Sequence, residues 1–137
     1  MEKAIAGVDA NQVGGQMAEL MATLFPTCRS ITGDGVRDTL ATLSERIDLN
    51  VQEVPTGYQA LDWTVPQEWN ISDAYLKNER GDRVVDFLKS NLHVHNYSAP
   101  ISRVMTLDEL RPHLYTKPEM PGAIPYLTSY YEERWGF

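Results

Sequence analysis

Apolar and polar residues along the 137-residue chain change their spacing twice, and the two changes divide it into three stretches. From Val13 the apolar positions Val13, Met17, Leu20, Met21 and Leu24 recur at helical spacing, which predicts an amphipathic helix. Pro26 ends it, because the residue before proline avoids the helical region. After a short connection, Val36, Leu40, Leu43 and Ile47 repeat in steps of four, three and four, and predict a second one-faced helix that Asp34 can cap. Leu49, Val51 and Glu53 then alternate up to Pro55-Thr56-Gly57, the pattern of a short strand. Residues 1–12 read as a loose leader.

The second stretch has β-type spacing. Residues 61–65, ended by Pro66, form a strand candidate. Residues 74–77 and 83–87 flank a glycine-containing loop and predict a hairpin, and residues 91–97 predict a further strand. In the third stretch Thr106-Leu107-Asp108-Glu109 matches a capping box and predicts a short helix. Residues 117–125 carry three prolines and one glycine and read as a crossing segment. Ser129-Tyr130-Tyr131-Glu132 is a second capping-box match, with Gly136 placed to stop a final helix.

The last fourteen residues are dense in large aromatics. Chain ends fray by default, so such a tail must dock onto something. The expectation here is that Tyr130, Tyr131, Trp135 and Phe137 pack against polypeptide beyond these residues rather than against this chain.

Composition narrows the classes. Hydrophobic content of 42% and charged content of 23% are those of a globular chain. A formal net charge of -7 makes a nucleic-acid or anionic-membrane surface electrostatically unfavourable, so neither partner is expected. There is no apolar run near 18 residues, so no spanning helix is expected. A single cysteine, Cys28, excludes an internal disulfide and fits a reducing, cytoplasmic setting.

Candidate chemistry is sparse. His93 and His95 are two apart and would share one face of a strand; with His113 they are the candidates for a three-histidine metal site. A His-x-His pair also serves as ordinary hydrogen-bonded strand residues. Cys28 has no histidine near it in sequence to act as base, which favours a structural thiol over a nucleophile. Gly33-Asp34-Gly35 reads as a tight turn, since Asp34 would repel a phosphate. Arg29 and Arg37 flank that turn and are candidates to meet a substrate carboxylate. Trp63, Trp69 and Tyr75 are either core or an exposed stacking surface for a glycan or peptide. Asp62, Glu68, Asp73, Asp82 and Asp86 read as solvated surface acids.

Four motifs in order carry a family resemblance: Leu24-Phe25-Pro26-Thr27-Cys28-Arg29-Ser30-Ile31-Thr32-Gly33-Asp34-Gly35, Asp62-Trp63-Thr64-Val65-Pro66-Gln67-Glu68-Trp69, Asn91-Leu92-His93-Val94-His95-Asn96-Tyr97-Ser98, and Ile124-Pro125-Tyr126 through Trp135-Gly136-Phe137. Together they resemble the N-terminal part of the DUF4910/DUF2172 family of bacterial aminopeptidase-like proteins, relatives of the M28-type zinc exopeptidases. The resemblance implies a mixed α/β fold: residues 13–57 begin a phosphorylase/hydrolase-like α/β/α peptidase domain, 58–116 form a small β-rich insertion, and 117–137 return to the peptidase domain. It also implies zinc in the full-length parent and a peptide-like substrate. The metal ligands would lie in the remainder of the peptidase domain, so this segment would hold no catalytic or metal residues and be inactive alone. A homo-oligomer is compatible with this reading. The alternative is a stand-alone β-rich binding module with an aromatic surface.

Overall fold

A computed structural model of the chain describes residues 9–130 and 132–137. Residues 1–8 of the expected leader, and Tyr131, lie outside the described residues. Two helices come first. Helix α1 spans Ala10–Leu24 and begins three residues before Val13, because Asp9 accepts hydrogen bonds from the amides of Asn11 and Gln12 at 2.9 and 3.3 Å. Helix α2 spans Asp34–Ser44.

The start of α2 differs from the sequence expectation. Asp34 is its first residue, and Gly33 holds the capping position at φ +106°. That conformation, and a neighbour 2.6 Å from where a side chain would begin (the carbonyl oxygen of Trp69), leave room only for glycine. The side-chain oxygen of Asn70 supplies the cap by accepting from the Asp34 amide at 2.8 Å. A residue from the β-type stretch therefore anchors the second helix.

The expected strand at residues 49–55 does not form; the segment is irregular. Its Glu53 instead reaches the guanidinium of Arg37 at 3.0 Å. Two small antiparallel hairpins follow. Strands β1 (Gln59–Ala60) and β2 (Trp63–Thr64) pair around Leu61 and Asp62. Strands β3 (Tyr75–Lys77) and β4 (Arg83–Asp86) pair with a bulge after Leu76. Asn78 organises the connecting loop by accepting from the amides of Arg80 and Asp82, as an Asx turn does. The fold is thus mixed α/β, with N-terminal helices and small β elements.

Residues 91–97 do not form the expected strand. Asn91–His93 is a 3₁₀ turn, and the extended part begins at Val94. Helix α3 (Leu107–Leu110) starts at the expected capping box and runs into a second 3₁₀ turn, Arg111–His113.

The tail shows the largest departure. Its described residues form no helix. It docks onto this chain, contrary to the expectation that it packs only beyond it. The amides of His95 and Ala99 donate to the carbonyls of Gly136 and Arg134 at 3.0 and 2.7 Å. On the other side, Phe137 receives a bond from Tyr115 and gives one to His113, at 2.8 and 2.9 Å. An isolated parallel bridge joins Asn96 to Thr128. Backbone pairing to two separate segments outcompetes a four-residue capping box, which satisfies far fewer backbone groups. Gly136 permits this threading: a Cβ there would lie 2.5 Å from the Tyr115 ring and 2.8 Å from the His113 carbonyl oxygen.

Candidate functional site

Residues 95–98 are where the loop after α1, the β-type stretch and the tail meet. Asn96 donates through Nδ2 to the Arg29 carbonyl at 3.2 Å. The Tyr97 hydroxyl bonds the Thr32 hydroxyl, and its ring stacks on Trp69 at 5.8 Å and meets Tyr130 edge-on at 4.9 Å. Tyr97 has φ +65°, a left-handed conformation that bulky residues rarely hold. The Trp69 indole donates to the Ser98 carbonyl at 3.0 Å. One sequence stretch thereby joins both halves of the chain.

His95 and Asn96 are the buried polar residues of this junction. Both ring nitrogens of His95 and the Oδ1 of Asn96 are buried without a hydrogen-bond partner among the described residues, whereas the Thr128 side chain lies against the Tyr126 hydroxyl. The His95 ring meets Tyr115 edge-on at 5.2 Å. Such orphaned groups ask for a partner that the described residues do not supply.

The other histidines serve different neighbours. His113 stacks on Trp135 with ring centres 3.6 Å apart, and its Nδ1 lies 3.0 Å from the Trp135 carbonyl oxygen. His93 is half-buried at the end of its 3₁₀ turn, so it does not share a strand face with His95. Among the described residues no group of three or more His, Cys, Asp or Glu is placed to hold a metal ion. The donor set here does not fit a zinc centre.

The two arginines differ. Arg37 collects three carboxylates: Asp34 at 3.1 Å, Glu53 at 3.0 Å, and Glu68 through both of its guanidinium ends. The Arg37 hydrogen bond holds the Glu68 carboxyl below its ordinary range. Sequence reasoning took Glu68 for a solvated acid and missed this cross-link, because its partner lies 31 residues away. Arg29 instead donates to the Leu24 carbonyl at 2.8 Å and forms no ion pair among the described residues.

None of the three candidate aromatics is core: Trp63 and Tyr75 are exposed and Trp69 is half-buried. Trp69 is stacked on Tyr97, and the Arg83 guanidinium lies 4.0 Å from the centre of the Tyr75 ring. Trp63 sits apart on the first hairpin and is 40% exposed.

Two cavities border the junction. One, of about 220 Å³, lies between the end of α1 and residues 91–96 and 124–127. The other, of about 450 Å³, opens between β3, residues 98–105 and the tail, and includes Trp69, Tyr75, Trp135 and Phe137 in its lining. Cys28 lines the smaller cavity; burial pushes its thiol up more than the nearby Arg29 charge lowers it. The thiol is therefore protonated at neutral pH and a poor nucleophile.

The family of domains of unknown function called DUF2172 matches residues 68–137, just over half of the chain. The chain belongs to the DUF2172 family. A similar protein from Clostridium acetobutylicum, provisionally assigned as a polysaccharide biosynthesis protein with an aminopeptidase-like domain, is 52% identical over 129 residues. That alignment covers 94% of this DUF2172 chain and 30% of the relative. A crystal structure of a provisionally assigned peptidase from the same organism superposes with a TM-score of 0.92 at 51% identity, over 99% of this chain and 32% of that one. The DUF2172 chain thus spans about a third of the length of each relative it matches. No described helix is long and apolar enough to cross a membrane.

Proposed function

We propose that this chain is the N-terminal segment of a zinc-dependent, aminopeptidase-like hydrolase of the M28 type. It frames the active-site cleft and contributes no catalytic metal ligands. The observation that carries this reading is the superposition over 99% of the chain, at a TM-score of 0.92, on a provisionally assigned peptidase three times as long. In this reading residues 13–57 and 117–137 belong to a phosphorylase/hydrolase-like peptidase domain, and 58–116 to its β-rich insertion. The protein is cytoplasmic and its substrate peptide-like.

The orphaned polar atoms of His95 and Asn96 support the same reading, since the remainder of a peptidase domain would supply their partners. The three-carboxylate cross-link at Arg37 supports a framing role for that residue. The test is to purify the native polypeptide that carries these residues. Release of N-terminal residues from short peptides and aminoacyl anilides is then followed with zinc and with a chelator. Chelator-sensitive release, restored by zinc, is the expected result. Zinc-loaded protein that cleaves no member of such a panel would remove the hydrolase reading.

A further inference from the structure

The larger cavity has walls of backbone. Residues 69–76 and 98–103 border it in unbroken runs. Residues 98–106 pass without a turn or bend, and in such an extended run successive side chains point to opposite sides. Side chains on one face cannot border a cavity at every position, so the peptide units between them form part of its wall. Those units are open. Among the described residues, no amide or carbonyl of residues 70–73 or 101–105 pairs with other backbone. The Trp69 indole, donating to the Ser98 carbonyl at 3.0 Å, ties the two runs together at one end. Ile101 and Val104 are exposed on the second run. An unpaired run that carries exposed apolar side chains is a template for one more strand.

Aromatic rings complete the lining, and three of them are held in place by the chain itself. Trp69 stacks on Tyr97, Trp135 stacks on His113, and the Arg83 guanidinium covers the Tyr75 ring. Rings fixed in advance lose little freedom when a ligand arrives. We infer that this cavity binds an extended peptide, its backbone paired with residues 101–103 and one bulky apolar side chain among Trp69, Tyr75, Trp135 and Phe137. In this mode of recognition main-chain hydrogen bonds give affinity and side-chain pockets give specificity. The volume of about 450 Å³ lies within the roughly 300–1,000 Å³ of small-ligand sites, which suits a short stretch of peptide. Binding of a capped peptide needs neither a metal nor turnover. It can therefore fail while the hydrolase reading stands, or hold while that reading falls.

The test is calorimetric titration of the native polypeptide that carries these residues with acetyl-TTFTT-amide, which has no free N-terminus to release. Two controls accompany it: the same peptide with its backbone nitrogens methylated, which keeps the side chains and loses the donors, and acetyl-TTATT-amide. The first peptide is expected to bind saturably and each control at least tenfold more weakly. Successive amides of an extended run point to opposite edges, so Ser102→Pro and Arg103→Pro each remove a donor from a different edge. Neither amide is bonded within the described chain. One of the two variants should weaken the peptide at least tenfold. If neither variant folds, the methylated peptide decides on the unmodified protein. Equal binding of the parent and methylated peptides, equal binding of the phenylalanine and alanine peptides, undiminished binding by both folded proline variants, or no saturable binding by the unmodified protein would each overturn the assignment.

Discussion

Single residues fasten this chain more than broad layers do, and their chemistry sets what each substitution should cost. Glu68 is the clearest titrating case. The Arg37 hydrogen bond lowers its carboxyl in the folded chain, whereas unfolded Glu titrates near pH 4.3. The unfolded chain therefore takes up this proton first as pH falls. The stabilisation is present above about pH 4.3 and is lost as pH drops through the lower, folded value. Glu68→Gln should lower Tm at pH 7, and the gap to the unmodified protein should close as pH falls below the ordinary glutamate range. A gap that stays constant across that range would remove Glu68 from the acid response. Gly136 offers a steric counterpart. Its missing side chain leaves the space taken by the Tyr115 ring and by the His113 backbone, which cannot swing aside. Gly136→Ala should cost about 1–3 kcal/mol in urea unfolding, as overpacking does. Gly122→Ala meets nothing within 4 Å and should change little, which makes it the control.

At the level of elements, legibility in the sequence followed how local each element's causes are. Helices α1 and α2 were readable because their apolar period is local, and α3 because its capping box is complete in four residues. The β3–β4 hairpin was readable from its loop chemistry. Elements that depend on distant partners were not. Residues 49–55 alternate as a strand does, yet no strand lies beside them, and Glu53 is held by Arg37. The tail has a capping box, yet it is extended because residues 95–99 and 113–115 bond its backbone. Among the site residues, the pairing of His113 with Trp135 and the anchoring of Arg29 on the Leu24 carbonyl rest on contacts that sequence spacing does not encode. The reading of α3 can be checked directly. Thr106 accepts from the Glu109 amide, and Glu109 accepts in return from the Thr106 amide. Thr106→Ala should weaken α3 by about 1 kcal/mol, seen as faster amide exchange at Glu109. Unchanged exchange there would mean that packing rather than the cap holds this turn.

For the whole molecule, surface area is the quantity that decides. The chain exposes 10896 Å², whereas a compact monomer of its mass exposes about 7,200 Å². Val65 is the buried hydrophobic residue among those described, while Met17, Met21 and Phe25 are each 59–70% exposed. Val13, Met17 and Met21 lie on one side of α1 and Phe25 just past its end, so that side is left open within the described residues, while Leu20 and Leu24 of the same apolar stripe are half-buried. Exposed apolar surface on this scale marks an interaction face in a native protein. If the chain is the front of a longer hydrolase, the remainder of that polypeptide is what covers the stripe. Met17 and Met21 then report the outcome, because thioether oxidation by peroxide follows access. In the native polypeptide that carries these residues, both should oxidise much more slowly than free methionine, and unfolding in urea should bring them to its rate. Oxidation at the free rate in the folded protein would mean that α1 stays bare. The remainder of the chain would then have to attach elsewhere, through the cavities and unpartnered polar atoms around His95 and Asn96.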